Sequence, residues 1–296
     1  MRLSHNLASL SVYKSYVKAL DGKSAALEKI SSGQKVNSSK DNPNVIAQSE
    51  RFRMQIRGLQ MAGKNVQDGI SMLQTTEGGL DTTESLIQRI RELAVKAGAD
   101  TNTIEDKQII KGEMDQLMDG IDSTVKSTEF NGIKLLADNK VSDNSKPGSL
   151  KMPSGANVGD EIHIPTYNLQ AGSWKVQIPG DAPNEELIQV DFSKENLDVT
   201  KPGGSDKALN MIDKALEQIG DIRSKYGAIE NRFESTYESI TDIDANIENS
   251  DSTIRDADIA QESINFSKGD ILVNAGLAMM VQSNKLPQDV LQILKR

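Results

Sequence analysis

Apolar residues recur along this chain at alternating steps of four and three, over unusually long stretches. Val45, Ser49, Phe52, Ile56, Leu59, Gly63, Val66, Ile70 and Leu73 keep the alternation unbroken, and it resumes at Leu80, Ile87 and Ile90 beyond the sequence EGG. A second seam runs through Ile212, Ala215, Ile219, Ile222, Tyr226, Ile229, Phe233, Thr236, Ile240, Ile243, Ile247, Ser250, Ile254 and Ala257. Such a repeat gathers side chains on one stripe of an α-helix, and at this length it predicts coiled-coil rods rather than the short amphipathic helices of a globular core. At about 1.5 Å per residue, 45–98 and 208–264 would each span roughly 80–85 Å. Two rods of matched length can lie along each other.

A third helix is predicted between them. Thr103 stands as its N-cap with Asp106 three residues on, and Ile110, Met114, Leu117 and Ile121 share one stripe. It should end before EFNG, whose Asn131-Gly132 pair signals a turn. Residues 138–205 differ in kind, alternating short β-prone runs with Gly, Pro, Asn and Asp, so hairpins are expected there. Six of the eight prolines fall in this stretch and confine its strands to edges, while Pro43 and Pro287 are expected at helix boundaries.

The two chain ends carry a last pair of seams. Leu3, Leu7, Leu10, Val17, Leu20 and Leu27, with Tyr13 among them, mark the first; Ile264, Ile271, Ala275 and Ala278, followed by Val290, Leu291 and Leu294, mark the second. Burying one narrow stripe does not offset the conformational entropy lost in ordering some thirty backbone residues. These ends are therefore expected to fray in an isolated chain and to become ordered when other copies cover them.

Composition sharpens this picture. Only 36% of the 296 residues are apolar and 4% aromatic, which favours helix packing through aliphatic side chains over a thick globular core. The net charge of −9 argues against a general affinity for nucleic acid. Residues 1–60 hold ten Lys and Arg against four acids, whereas 206–262 hold six against fourteen, so the two segments are expected to attract. No cysteine is present, which removes disulfides, thiolate metal sites and thiol nucleophiles. The N-terminal sequence has no signal-peptide core and no window approaches the roughly 20 apolar residues of a membrane span, so these rules alone indicate a cytosolic chain without a membrane partner.

Catalytic chemistry finds no foothold. His5 and His163 are far apart and neither has a carboxylate at ligand spacing; no zinc, phosphate-loop or nucleophile-elbow motif occurs. No enzyme activity, metal or cofactor is expected.

Taken in order, NLASLSVYKSY, AALEKISSGQKVN, QIRGLQMAGKNVQDGISMLQTTEGGL, IQRIRELAVKAGADTNT, STEFNGIKLL, ALNMIDKALEQI, IRDADIAQESINFSK and PQDVLQILKR resemble the terminal regions of bacterial flagellin, over about 1–138 and 206–296. The resemblance implies a mainly α protein, with long antiparallel coiled-coil rods built from both terminal regions and a small β-hairpin-rich centre. It implies inner-core helices at 1–42 and 256–296, an outer helical rod domain at 43–137 and 206–255, and a hairpin segment with a short exposed insert at 138–205. It further implies a homopolymer forming the flagellar filament for motility, exported without a cleaved signal. The partners implied are an export chaperone, the filament cap, hook-junction proteins and a host Toll-like receptor of innate immunity. The terminal apolar residues above would then be self-assembly contacts, and Gln88, Arg89, Glu92, Leu93 and Glu113 a receptor-facing surface. The location would be secreted, extracellular, rather than cytosolic. A hook-filament junction subunit or another axial flagellar protein is the alternative, because it would share the terminal seams.

Overall fold

The computed structural model describes residues 6–141, 143–178 and 188–294. Five helices and four short strands follow in chain order: α1 (Leu7–Ser32), α2 (Pro43–Ala97), α3 (Ile104–Ser127), β1 (Gly148–Pro153), β2 (Glu161–Thr166), β3 (Lys175–Ile178), β4 (Ile188–Asp191), α4 (Gly204–Arg255) and α5 (Ile259–Leu294). Two compact units emerge, one from Met1–Arg57 with Asp244–Arg296 and the other from Gly58–Ile243.

In the Gly58–Ile243 unit the predicted stripes turn inward. Leu59, Val66, Leu73, Leu80, Ile87 and Ile90 of α2 are buried, as are Ile212, Ala215, Ile219, Ile222, Tyr226, Phe233 and Ile240 of α4. The α2 helix runs straight through Gly78 and Gly79. Gly69 lies directly under the Phe233 ring, where a Cβ would come within 3.0 Å of it. Helix α3 starts on a complete capping box: the Thr103 hydroxyl accepts from the Asp106 N–H at 3.2 Å while the Asp106 carboxylate accepts from the Thr103 N–H at 3.1 Å. Its buried stripe is Ile110, Met114, Met118, Ile121 and Val125, with Leu117 half-buried at the edge. Asn131 and Gly132 both take positive φ and close a tight turn bridged by Phe130 and Ile133.

The centre forms two antiparallel hairpins, β1 with β2 and β3 with β4. Trp174, fully buried, packs on Phe192 and donates from Nε1 to Gln218 Oε1 of α4 at 2.6 Å. The Tyr226 hydroxyl donates to the Pro165 carbonyl at 2.9 Å, fixing the end of β2 against α4, and burial pushes its pKa well above the ordinary phenol value.

The other unit contains α1 and α5, antiparallel, with contacts at every seventh residue of α5. Glu262 pairs with Lys29 at 3.3 Å, Gly269 meets the Lys23 backbone, Gly276 meets Tyr16, and the Ser283 carbonyl accepts from Asn6 Nδ2 at 3.0 Å. A Cβ at Gly269 would lie 3.2 Å from the Lys23 Cα, so glycine sets how closely the two backbones approach. Lys23 also reaches Asp270 at 2.5 Å; of the two pairs, Lys29–Glu262 joins the basic and acidic segments expected to attract, and such partly exposed pairs contribute only about 0.2–1 kcal/mol each.

Three expectations are corrected here. The α1/α5 seam does not use the large aliphatic residues of the predicted stripes; Leu7, Leu10, Tyr13, Leu20 and Leu27 on α1 and Ile264, Ile271, Ala275 and Ala278 on α5 are exposed, and Val17 is half-buried. The second rod ends at Arg255 rather than near 264. There Asp256 leaves the helix to bridge Gln34, and the Asp258 carboxylate accepts from the N–H groups of Ala260 and Gln261 to begin α5. Pro43 opens α2 as predicted, but Pro287 lies inside α5. A proline there deprives the Ser283 carbonyl of its intrahelical donor, and the Asn6 side chain supplies one instead. The same Asn6 caps α1 by accepting from the Ser9 N–H at 3.0 Å.

Candidate functional site

Because a heptad helix has one buried stripe, a seam set by the close approach at Gly269 and Gly276 leaves many large apolar residues off it. On α1, Leu7 is 75% exposed and Leu10, Tyr13, Leu20 and Leu27 share its exposure. On α5, Ile271 is 68% exposed, with Ile264 and Leu272 nearby; together with Ser263, Ser267 and Lys268 they line a shallow apolar groove of about 470 Å³. Leu277, Met279 and Val281 extend the uncovered surface and were not among the predicted contacts, since they fall off the heptad that the sequence emphasises. Exposed apolar surface on this scale marks an interaction surface. Leu3 lies outside the described residues, as do the side chains of Val290, Leu291 and Leu294.

A second surface sits on α2 and α3. Arg89 donates from Nη1 to Glu92 Oε2 at 2.7 Å and from Nη2 to Glu113 Oε1 at 3.1 Å, and Gln88 donates to Glu84 at 3.2 Å. Hydrogen bonds donated to Glu92 and then to Glu113 hold the Arg89 guanidinium pKa above its ordinary value. The structure thus brings Gln88, Arg89, Glu92 and Glu113 onto one exposed surface. Leu93 does not join them: it is 3% exposed, because steps of three from Ile90 and four to Ala97 place it on the inward stripe. Sequence reasoning missed Ile109, which is 73% exposed one turn before Glu113 on the same face of α3. An apolar residue off the Ile110 stripe was the available signal.

The β1/β2 hairpin corrects one further reading. His163 has a carboxylate beside it after all, with Nε2 3.3 Å from Glu161 Oε1, and its Nδ1 lies 3.0 Å from the Ser149 hydroxyl. Alternation places Glu161 and His163 on the same face of β2, opposite Ser149 and Lys151 of β1. This side-chain row is exposed on an open strand face, with Glu161 held below its usual carboxylate range first by its hydrogen bond from Lys151. His5 lies outside the described residues. Among the described residues no group of three metal-ligating side chains occurs, and no helix is long and apolar enough to cross a membrane.

Paired terminal helices that present their largest apolar side chains to solvent define a structural chain that associates with copies of itself. Comparison with known proteins gives that class its family. Residues 3–141 match the bacterial flagellin N-terminal helical region and residues 209–294 the C-terminal helical region. The chain is 37% identical to a flagellin of Bacillus subtilis strain 168 over 310 aligned positions, covering all of both chains, and 33% identical to the flagellar filament 30.7 kDa core protein of Treponema maltophilum, covering 99% of this chain and all of the other. A solved structure of a putative flagellar hook-associated protein from Vibrio parahaemolyticus shares the fold, at 13% identity and a TM-score of 0.56, over 73% of this chain and all of that one. The chain belongs to the bacterial flagellin family. It is a structural subunit that polymerises into the flagellar filament, in a family of structural proteins.

Proposed function

We propose that the α1/α5 pair forms the inner part of the filament and that its uncovered apolar residues are the contacts between copies. In this reading 1–42 and 256–296 are the inner-core helices, 43–137 and 206–255 the outer rods, and 138–205 a hairpin segment at the outer surface. One observation carries it: the heptad contacts of α1 with α5 use Lys29, Lys23, Tyr16 and Asn6 against Glu262, Gly269, Gly276 and Ser283, leaving Leu7, Leu10, Leu20, Leu27, Ile264 and Ile271 uncovered. The chain is exported and extracellular, meets a chaperone, the filament cap and hook-junction proteins on its way, and the same terminal surfaces engage them before copies do. Seeded growth of the full-length chain tests the reading. Wild type should extend seeds, and Ile264→Asp with Ile271→Asp should not; equal growth by both would reject it.

A second reading rests on the α2/α3 surface. Gln88, Arg89, Glu92 and Glu113, with the exposed Ile109 beside them, form a receptor-facing surface for a Toll-like receptor. Ile109 supplies the apolar contact that Leu93, being buried, does not present. Surface plasmon resonance of the monomer on the receptor ectodomain should show Arg89→Ala and Ile109→Ala weakened, and unchanged binding by both would reject the surface.

A further inference from the structure

Several glycines inside the helices of the Gly58–Ile243 unit have no packing reason to be glycine. Gly69 lies under Phe233, and at Gly79 a Cβ would come within 2.8 Å of the Thr128 Cγ2, so close approach accounts for both. At Gly78 of α2, Gly112 of α3, and Gly220 and Gly227 of α4, a Cβ would meet nothing within 4 Å. Interior glycine disfavours a helix by roughly fivefold relative to alanine, because its backbone has more freedom to lose. Gly112 stands apart, level with Arg89 through its neighbour Glu113. The other three fall together.

Arg223 marks their level. It lies on α4 about one turn from both Gly220 and Gly227, and it reaches α2 on either side of Gly78. Its Nη2 is 3.5 Å from Glu77 Oε1, and its Nη1 is 3.6 Å from Asp81 Oδ1 and 2.5 Å from Glu84 Oε2. One guanidinium thus ties together the turns of α2 that Gly78 separates. The same stretch is weakened a second way. Six Ser and Thr hydroxyls within 71–85 donate to the carbonyl four residues back, with Gly78 and Gly79 among the acceptors, and Asn231 Nδ2 donates to the Gly227 carbonyl. Back-bonding of this kind competes with the helix's own hydrogen bonds and favours bending. Beneath it the apolar seam continues, with Met72, Leu73 and Leu80 of α2 and Ile219, Ile222 and Tyr226 of α4 all buried.

We propose that this level of the unit is a joint at which α2 and α4 open and bend locally, and that Arg223 is the clasp that holds it shut. The clasp sits on the solvent flank: the side chains of Arg223, Glu77, Asp81 and Glu84 are 31%, 46%, 70% and 29% exposed. Pairs so exposed are screened by salt, over a Debye length of about 10 Å at 0.1 M and about 3 Å at 1 M. Ionic strength therefore sets how often the joint opens, while the buried seam keeps the helices together. The inference concerns the lone chain and does not depend on the assembly reading above.

Residue-resolved hydrogen exchange of the full-length monomer tests this. Arg223→Gln should speed exchange in 75–85 and 219–231 by about tenfold or more and leave 59–70 and 104–125 within about twofold of wild type. Raising salt to about 1 M should speed the same two stretches in wild type and move them much less in Arg223→Gln, which has no clasp left to screen. Adding Gly78→Ala, Gly220→Ala and Gly227→Ala to Arg223→Gln should slow the joint again, by roughly fivefold in each helix. Those methyl groups meet nothing, so the combination also keeps the test valid if Arg223→Gln alone misfolds. Acceleration spread evenly over 58–243 would make Arg223 an ordinary structural ion pair and overturn the proposal. So would unchanged rates in Arg223→Gln, a salt response in that variant equal to wild type's, or alanines that leave both stretches exchanging as fast as before.

Discussion

The two units apply the same heptad rule with opposite choices of face. In the Gly58–Ile243 unit, α2 and α4 turn their Leu, Ile and Phe residues inward, and Trp174, Phe192 and Tyr167 are buried along with them. In the other unit, α1 and α5 meet through Gly269, Gly276, Ser283, Asn6, Tyr16 and Lys23, with Ala26 buried, while Leu7, Leu10, Leu20, Leu27, Ile264, Ile271, Leu272 and Leu277 are exposed. Apolar area removed from water stabilises by about 25 cal/mol per Å², so most hydrophobic stabilisation of the lone chain resides in the Gly58–Ile243 unit. The α1/α5 unit leaves Leu7, Leu10, Leu20, Leu27, Ile264 and Ile271 uncovered in the lone chain, and on the assembly proposed above they are covered by other copies. On that proposal one repeat serves folding in one place and polymerisation in the other.

The comparison breaks most visibly at Phe233. It is fully buried against Gly69, and Phe233→Ala should destabilise the monomer by about 3–5 kcal/mol in chemical denaturation. A loss under about 1 kcal/mol would mean that this unit is not where stability lies. Next in size is Gly269→Val. Its branched side chain would press on the Lys23 backbone and force α1 from α5, at about 1–3 kcal/mol for overpacking. Hydrogen exchange should show protection lost in 7–32 and 259–285 while 58–243 keeps its own; loss in both would show the units are not separately stabilised.

Asn6→Ala should cost about 1 kcal/mol, the ordinary value of an N-cap, with faster exchange at the start of α1. The Ser283 carbonyl loses its donor in the same variant, so exchange should also quicken near Pro287. A separate acid effect is confined to the Gly58–Ile243 unit. The Asp198 carboxylate accepts from the Thr200 hydroxyl and N–H and pairs with Lys201, which lowers its pKa from 3.8 to about 2. A pKa depressed on folding stabilises fully above the unfolded value and is lost as pH falls through the folded one. Monomer unfolding should therefore show a contribution that declines between about pH 4 and pH 2 and is missing in Asp198→Asn.

Much of this was legible in the sequence, for a physical reason. The α2 and α4 seams, the Thr103 capping box and the Asn131-Gly132 turn are local or periodic, and local rules fix them. The α1/α5 register was not legible, because reading a heptad ranks faces by hydrophobicity, and here the close approach at Gly269 and Gly276 decided the face. The break after Arg255 was hidden because Ala257 continues the apolar pattern while the flanking Asp256 and Asp258 bridge and cap. Pro287 reads as a helix end until Asn6, 281 positions earlier, is known to satisfy the carbonyl it frees. The resemblance puts Leu93 on the receptor-facing surface, whereas its place three residues after Ile90 turns it onto the inward stripe.

The smallest effect expected on the lone chain is the most informative. Leu10 is half exposed and lies off the line of contacts that joins Asn6, Tyr16, Lys23 and Lys29 to α5. Leu10→Asn gives up only the covered half of an apolar side chain in the monomer, so its stability should fall by no more than about 1 kcal/mol. In a seeded assembly the same change places an amide where an apolar side chain would be covered by another copy, at about 2 kcal/mol per subunit contact, or roughly thirtyfold in the critical concentration. A variant whose monomer unfolds like wild type but whose critical concentration rises steeply separates folding from polymerisation in one residue. If instead monomer stability falls by as much as the polymer's, Leu10 belongs to the intramolecular seam, and the division of labour between the two faces of α1 is wrong.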